Sequence, residues 1–184
     1  SIQQRKIVRA FGLSVKVIIF SVCYYLIFSK LDVVKFLTME EKFMYDALII
    51  ARYIIDRCND KKLAINNLKL QKILYFVQAE FLVVLNVPCF RENIEAWDSG
   101  PVVPVVYQKY KVYGGGNIPS INHVQPSGII GDNQKLINGI IDECGKYSAS
   151  QLMETTHHQS PWKNAYQKRG NTIANTAIKE YFQN

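Results

Sequence analysis

The sequence is poor in the residues from which catalytic and metal sites are most often assembled. It has three histidines and four cysteines in 184 residues, and Cys23, Cys58, Cys89 and Cys144 stand 35, 31 and 55 positions apart. Without a C-x-x-C pair, neither a zinc knuckle nor a thioredoxin-type redox site is supported. Cys58 and Cys144 fall on apolar helical stripes instead, which predicts buried free thiols in a reducing compartment. There is no G-x-S-x-G elbow, Walker A loop or H-E-x-x-H motif. Gly114, Gly115 and Gly116 have the composition of a phosphate cradle, but no Lys-Ser/Thr follows them, and a helix stop is the better reading. His157 and His158 are adjacent, so on a helix their side chains diverge by about 100° and cannot share one metal ion. One imidazole is expected to hydrogen-bond within the fold near Trp162, with the other solvated; His123 lies in a turn region. No cofactor is expected.

Proline (6), glycine (10) and charged residues (20%) are too few for a collagenous, low-complexity or disordered chain. A hydrophobic fraction of 48% in a chain of this length supports one ordinary domain. The formal charge of +7 raises the question of an anionic partner. Its distribution answers most of it. Residues 1–38 contain six bases (Arg5, Lys6, Arg9, Lys16, Lys30, Lys35) and one acid, Asp32, giving +5, whereas the remaining residues have 16 bases and 14 acids, giving +2. Lys61, Lys62, Lys69, Lys72, Lys109 and Lys111, with Tyr107, Tyr110 and Tyr113, form the mixture that single-strand binders use. A balance of +2 is nevertheless weak for a phosphate binder, so nucleic acid is not the expected partner.

Residues 1–38 also hold the one long apolar run, Val17 to Phe28, 12 residues interrupted only by Ser21. A spanning helix needs about 20 residues, and Ser29-Lys30-Leu31 is not a cleavage site. Three readings stay open for this extension: translated upstream sequence with Met39 as the start, an extra helix packed on the domain, or a membrane anchor. Only the last would bring in a membrane. The domain proper is expected to span residues 39–184.

Within it, apolar positions Ala47, Leu48, Ala51, Ile54, Ile55 and Cys58 follow a helical period. A second helix, capped by Asn66-Asn67, carries Leu70, Ile73, Leu74, Val77, Phe81 and Val84 to a stop at Asn86 and Pro88. Ile94–Trp97 alternates as a strand does, and Asp98-Ser99-Gly100-Pro101 is a turn. Pro101 and Pro104 are expected to open a third helix ended by Gly114–Gly116. Asp132 is expected to cap a fourth, stopped by Gly145. Ser148 and Gln151 have the spacing of a capping box, Ser160-Pro161 opens a short helix, and Ala177–Phe182 closes the chain. The predicted fold class is mainly α (α+β): a compact domain of five to seven helices with a small sheet of short strands.

Three blocks taken together resemble one family. They are Asn67-Leu-Lys-Leu-Gln-Lys-Ile-Leu-Tyr75 with Phe76 and Gln78; Ile94-Glu-Ala-Trp97-Asp-Ser-Gly100-Pro101-Val-Val103 with Val106-Tyr107; and Leu152 to His157 with Pro161-Trp162 and Ala165. In order and spacing the chain resembles the SocA-like antitoxins that carry the Panacea domain, also met as phage-associated proteins, over about residues 44–183. The resemblance implies a mostly helical cytoplasmic protein, without enzymatic activity, that neutralises a protein toxin encoded beside it by direct contact. Some relatives deliver the toxin to an AAA+ protease, and the alternative for this chain is a proteolytic adaptor of that kind or a phage-associated regulatory binding module without toxin-neutralising activity. Leu70, Leu74, Tyr75, Trp97, His157, Pro161 and Trp162 are expected to form the structural frame, though a rim of Trp97, Gly100, Pro101 and Tyr107 is the alternative for a protein-binding face. Lys69, Gln71 and Lys72 are expected to project from the polar side of the second helix toward the partner. Gly100, Pro101, Tyr107 and Tyr110 are further candidates for contact. An enzyme site around His157, Gln71 and Tyr107 is the competing possibility from another class.

Overall fold

The computed structural model describes residues 44–120, 128–168 and 171–184. The extension 1–38, with Cys23 and its apolar run, lies outside the described residues, as do Met39, Ile121 and His123.

Helix α1, Ala47–Asp60, starts where the Asp46 carboxylate accepts the Leu48 amide at 2.7 Å. Glu92 reaches back from the far side of the next helix to accept the Ala47 amide at 2.9 Å. The face Ala47, Ile50, Ala51, Ile54, Ile55 and Cys58 is buried, as its period predicts. Lys62 turns into the left-handed region at φ 57° to end the segment.

Helix α2, Asn67–Val84, is the axis of the molecule. Asn66 caps it by accepting the Lys69 amide at 2.9 Å. Helix α1 packs on it, and so do α4 (Gly131–Gly145), α5 (Ala149–His157) and α7 (Asn175–Gln183). Enclosed on all sides, it is buried from Lys69 through Leu82, polar residues included. Gln78 shows how such a helix satisfies its polar groups. Its Oε1 accepts the amides of Cys89 and Phe90 at 2.9 and 3.1 Å, which fastens the return loop to the helix.

That loop leads into β1, Ile94–Trp97, and β2, Gly100–Val102, joined by the two-residue turn Asp98-Ser99. With β3, Thr172–Ile173, they form an antiparallel sheet in the order β2-β1-β3. Ile94 and Ala96 face the core, whereas Glu95 and Trp97 share the other face by alternation. Gly100 lies opposite Trp97 with φ 96°, and a Cβ there would sit 2.8 Å from Thr156 Oγ1 and 3.0 Å from Lys72 Nζ.

The remaining elements are α3, Pro104–Tyr110, a 3-10 turn, Lys111–Tyr113, and α6, Ser160–Tyr166. The described residues thus form seven α-helices and one small sheet, the mainly helical α+β fold the sequence predicts. Cys58, Cys89 and Cys144 are free and buried in its single core. The capping box at Ser148 is present in both halves, at 3.2 and 2.8 Å.

Two boundaries differ from the sequence expectation. Pro101 belongs to β2, so only Pro104 opens α3. Asp132 lies in the first turn of α4 rather than at its cap. Its carboxylate is engaged by Lys135 at 2.8 Å, and Ile130 caps without a side-chain bond. Helix α4 does end at Gly145, as expected, and the missing Cβ there also makes room for Leu63, whose Cδ1 would stand 2.9 Å from one.

Candidate functional site

Two helices and a hairpin bring the quoted sequence blocks together. From α2, the polar edge turns toward β2 and α3. Gln71 Oε1 accepts the Val103 amide at 2.8 Å, and its Nε2 donates to Asn67 Oδ1 at 3.0 Å. Asn67 Nδ2 in turn donates to the Tyr107 carbonyl at 3.2 Å. The residue after Gln71, Lys72, is fully buried and its Nζ donates to the Pro101 carbonyl at 2.7 Å. Lys72 belongs to none of the ion pairs that the described residues make. Burial without a carboxylate partner pushes its ammonium down to about 7.

These positions correct the expectation that Lys69, Gln71 and Lys72 project from the domain. Lys69 is 7% exposed, Gln71 1% and Lys72 0%. Helix α5 and the hairpin fold over the polar side of α2, and the Pro101 carbonyl, the Val103 amide and the Tyr107 carbonyl are the partners that make its burial tolerable. Lys69 faces the opposite way, where its charge acts on the thiols of Cys58 and Cys144. Tyr110, expected at a contact surface, is 4% exposed and part of the core, and Gly100 and Pro101 are likewise buried. Leu70, Leu74 and Tyr75 are fully buried on α2, and Pro161 is buried at the start of α6.

The aromatic residues are arranged differently. Trp97 is half-buried on the outer face of the sheet, its ring edge-on to Tyr107 at 5.0 Å and 65°. Its indole Nε1 donates to Glu95 Oε2 at 2.8 Å. Val102, opposite Glu95, is 1% exposed, yet neither it nor Trp97 nor Tyr107 joins the core cluster. Val102 is thus covered, while Trp97 and Tyr107 pack on each other at the margin of the core and stay half-buried.

Beside them, His157, Trp162 and Tyr166 stack in one column. Ring centroids are 4.2 Å apart at 21° for the first pair and 4.7 Å at 20° for the second. Trp162 Nε1 donates to the Trp97 carbonyl at 3.0 Å, and Tyr166 Oη donates to Asp98 Oδ1 at 2.8 Å, so both free ends of α6 hold the hairpin turn. Tyr166 is 43% exposed. Burial pushes His157 below its ordinary range, and the charge of Lys72 adds to the shift. His157 thus sits near Trp162, by stacking, while the exposed His158 pairs its Nδ1 with the Glu154 carbonyl at 2.8 Å.

Sequence reasoning did not single out Glu95 or Tyr166. Tyr166 had a readable signal, since it stands four residues after Trp162 on a short helix and so on the same face. The Glu95 carboxylate had a weaker one, the i, i+2 alternation with Trp97. Among the described residues, no group of three or more His, Cys, Asp or Glu side chains is placed to hold a metal ion. No helix among them is long and apolar enough to cross a membrane. What the hairpin presents is aromatic area with two adjacent carboxylates, which is recognition chemistry.

The family model described as "Antitoxin SocA-like, Panacea domain" matches residues 70–163, from the first turn of α2 into α6. The chain belongs to this family. Antitoxin SocA of Caulobacter vibrioides (strain NA1000 / CB15N) is 33% identical to it over 130 residues, covering 64% of this chain and 68% of that relative. No solved structure is significantly similar. The matched span contains Gln71, Lys72, the hairpin, His157 and Trp162, while Asn67 and Tyr166 lie just outside it.

Proposed function

We propose that this Panacea-domain protein is an antitoxin that neutralises a protein toxin by direct, stoichiometric contact in the cytoplasm, without catalysis. The observation that carries the reading is the 33% identity to Antitoxin SocA over most of that relative's length. The hairpin's aromatic patch supports the contact mechanism, because Trp and Tyr outside a core bury large area with little loss of side-chain entropy.

Co-expression with the product of the adjacent gene tests it. Growth arrest by that product alone, rescue by this protein, and co-purification of the two in a fixed ratio are the expected results. Absence of rescue together with absence of a complex refutes the proposal. Rescue accompanied by loss of the partner only when an AAA+ protease is active would assign delivery to the protease as the mechanism in place of masking.

A further inference from the structure

We propose that the hairpin face formed by Glu95, Trp97, Asp98, Tyr107 and Tyr166 receives an arginine-bearing segment of the protein partner. The inference rests on the antitoxin reading and specifies its contact surface and the chemistry of what docks there.

The surface combines two kinds of group. Trp97 and Tyr107, edge to face beside the hairpin turn, are each only half-buried, and Tyr166 ends a three-ring stack while remaining 43% exposed. Glu95 and Asp98 place a carboxylate beside each. Glu95 uses Oε2 for the Trp97 indole and Asp98 uses Oδ1 for the Tyr166 hydroxyl, so each carboxylate is oriented by an aromatic neighbour. Neither belongs to any ion pair made by the described residues, although the chain as a whole carries an excess of seven positive charges.

A fixed carboxylate next to an aromatic ring matches a guanidinium better than any other side chain. The planar fork donates to the carboxylate while its face lies on the ring, whereas a lysine ammonium makes only the point contact. A purely apolar partner would leave both carboxylates desolvated without compensation, at a cost that excludes it from the same pose. The rigid support fits the role as well. The turn is pinned by Trp162 at the Trp97 carbonyl and by Lys72 at the Pro101 carbonyl, so little entropy is lost when it is engaged.

The probe is the adjacent-gene product, purified in complex with the full chain, and the variant is Glu95→Gln with Asp98→Asn. Both amides keep an oxygen to accept the Trp97 and Tyr166 hydrogen bonds, so the hairpin is retained and only charge is removed. The expected result is a Kd weakened about tenfold or more, a flatter dependence of Kd on salt than the wild type shows, and an unchanged melting temperature. Trp97→Ala should weaken the same complex. A Kd within about twofold of wild type for the charge variant overturns the proposal, and a Trp97→Ala loss alongside it would mean an apolar occupant. If the wild type itself forms no complex and gives no rescue, the antitoxin reading fails first, and the two failures are told apart by that control.

Discussion

Lys72 Nζ lies 2.7 Å from the carbonyl oxygen of Pro101, and this bond fastens the central helix to the hairpin at a point where neither residue meets water. An ammonium held there by one neutral acceptor is costly in its charged form. Burial moves it from 10.5 to about 7.

The pH dependence of stability follows from that shift. Below pH 7 the lysine is protonated in both states and the folded state bears the full cost of burying the charge. Between pH 7 and 10.5 the unfolded chain binds the extra proton, so stability rises with pH, by roughly 5 kcal/mol at most. Lys72→Met should remove this slope. It should melt higher than wild type at pH 6 and, having left the Pro101 carbonyl unpaired at a cost of about 1 kcal/mol, slightly lower at pH 10. Thermal melts of both proteins across that range check it, and parallel curves would contradict it.

Glu80 on α2 gives the opposite sign. Both of its carboxyl oxygens are buried without a partner, and burial raises it from 4.5 to about 7. A raised acid loses stability as pH climbs from 4.5 to 7, because the folded state resists ionisation. Glu80→Gln should therefore match wild type at pH 4 and melt above it at pH 8. Equal melting temperatures at both pH values would show that the carboxyl is hydrated.

Gly100 has two reasons to be glycine: a φ of 96° and a would-be Cβ at 2.8 Å from Thr156 Oγ1. Gly100→Ala should destabilise the domain by about 3 kcal/mol, the sum of backbone strain and overpacking. Urea unfolding measures it. The loss should persist in a Thr156→Ala background, because the φ strain is independent of that neighbour.

The two tryptophans should respond differently to truncation. Trp162 packs against the core, stacks on both sides and donates to the Trp97 carbonyl, so Trp162→Ala should cost about 3–5 kcal/mol. Trp97 lies outside the core and loses mainly its edge contact with Tyr107, so Trp97→Ala should cost only about 1 kcal/mol of stability. Melting temperatures of the pair decide it. A Trp97→Ala loss as large as that of Trp162→Ala would place Trp97 in the structural frame.

Much of the fold is legible in the sequence. The caps at Asn66 and Ser148, the stop at Asn86 and the hairpin turn at Asp98-Ser99 stand where local patterns place them. Local rules mislead where a residue's role depends on a distant neighbour. Pro101 resembles a helix opener until its pairing with Ala96 places it in β2, and Lys72 resembles a surface lysine until the Pro101 carbonyl is found against it.

The candidate site shows the same division more sharply. Periodicity, caps and breakers determined by sequence alone that Asn67–Val84 is a helix with Lys69, Gln71 and Lys72 near its start, because each of those signals acts within a few residues. Which way that polar edge faces was decided only by tertiary structure. The hairpin at residues 100–103 and the helix at 149–157 cover it, and the Pro101 carbonyl and the Val103 amide supply the hydrogen bonds without which a lysine and a glutamine could not be buried. What stays in reach of solvent beside it is Asp98 and Tyr166, with Glu95 and Trp97 half-buried, and it is on these that the proposed contact surface is built.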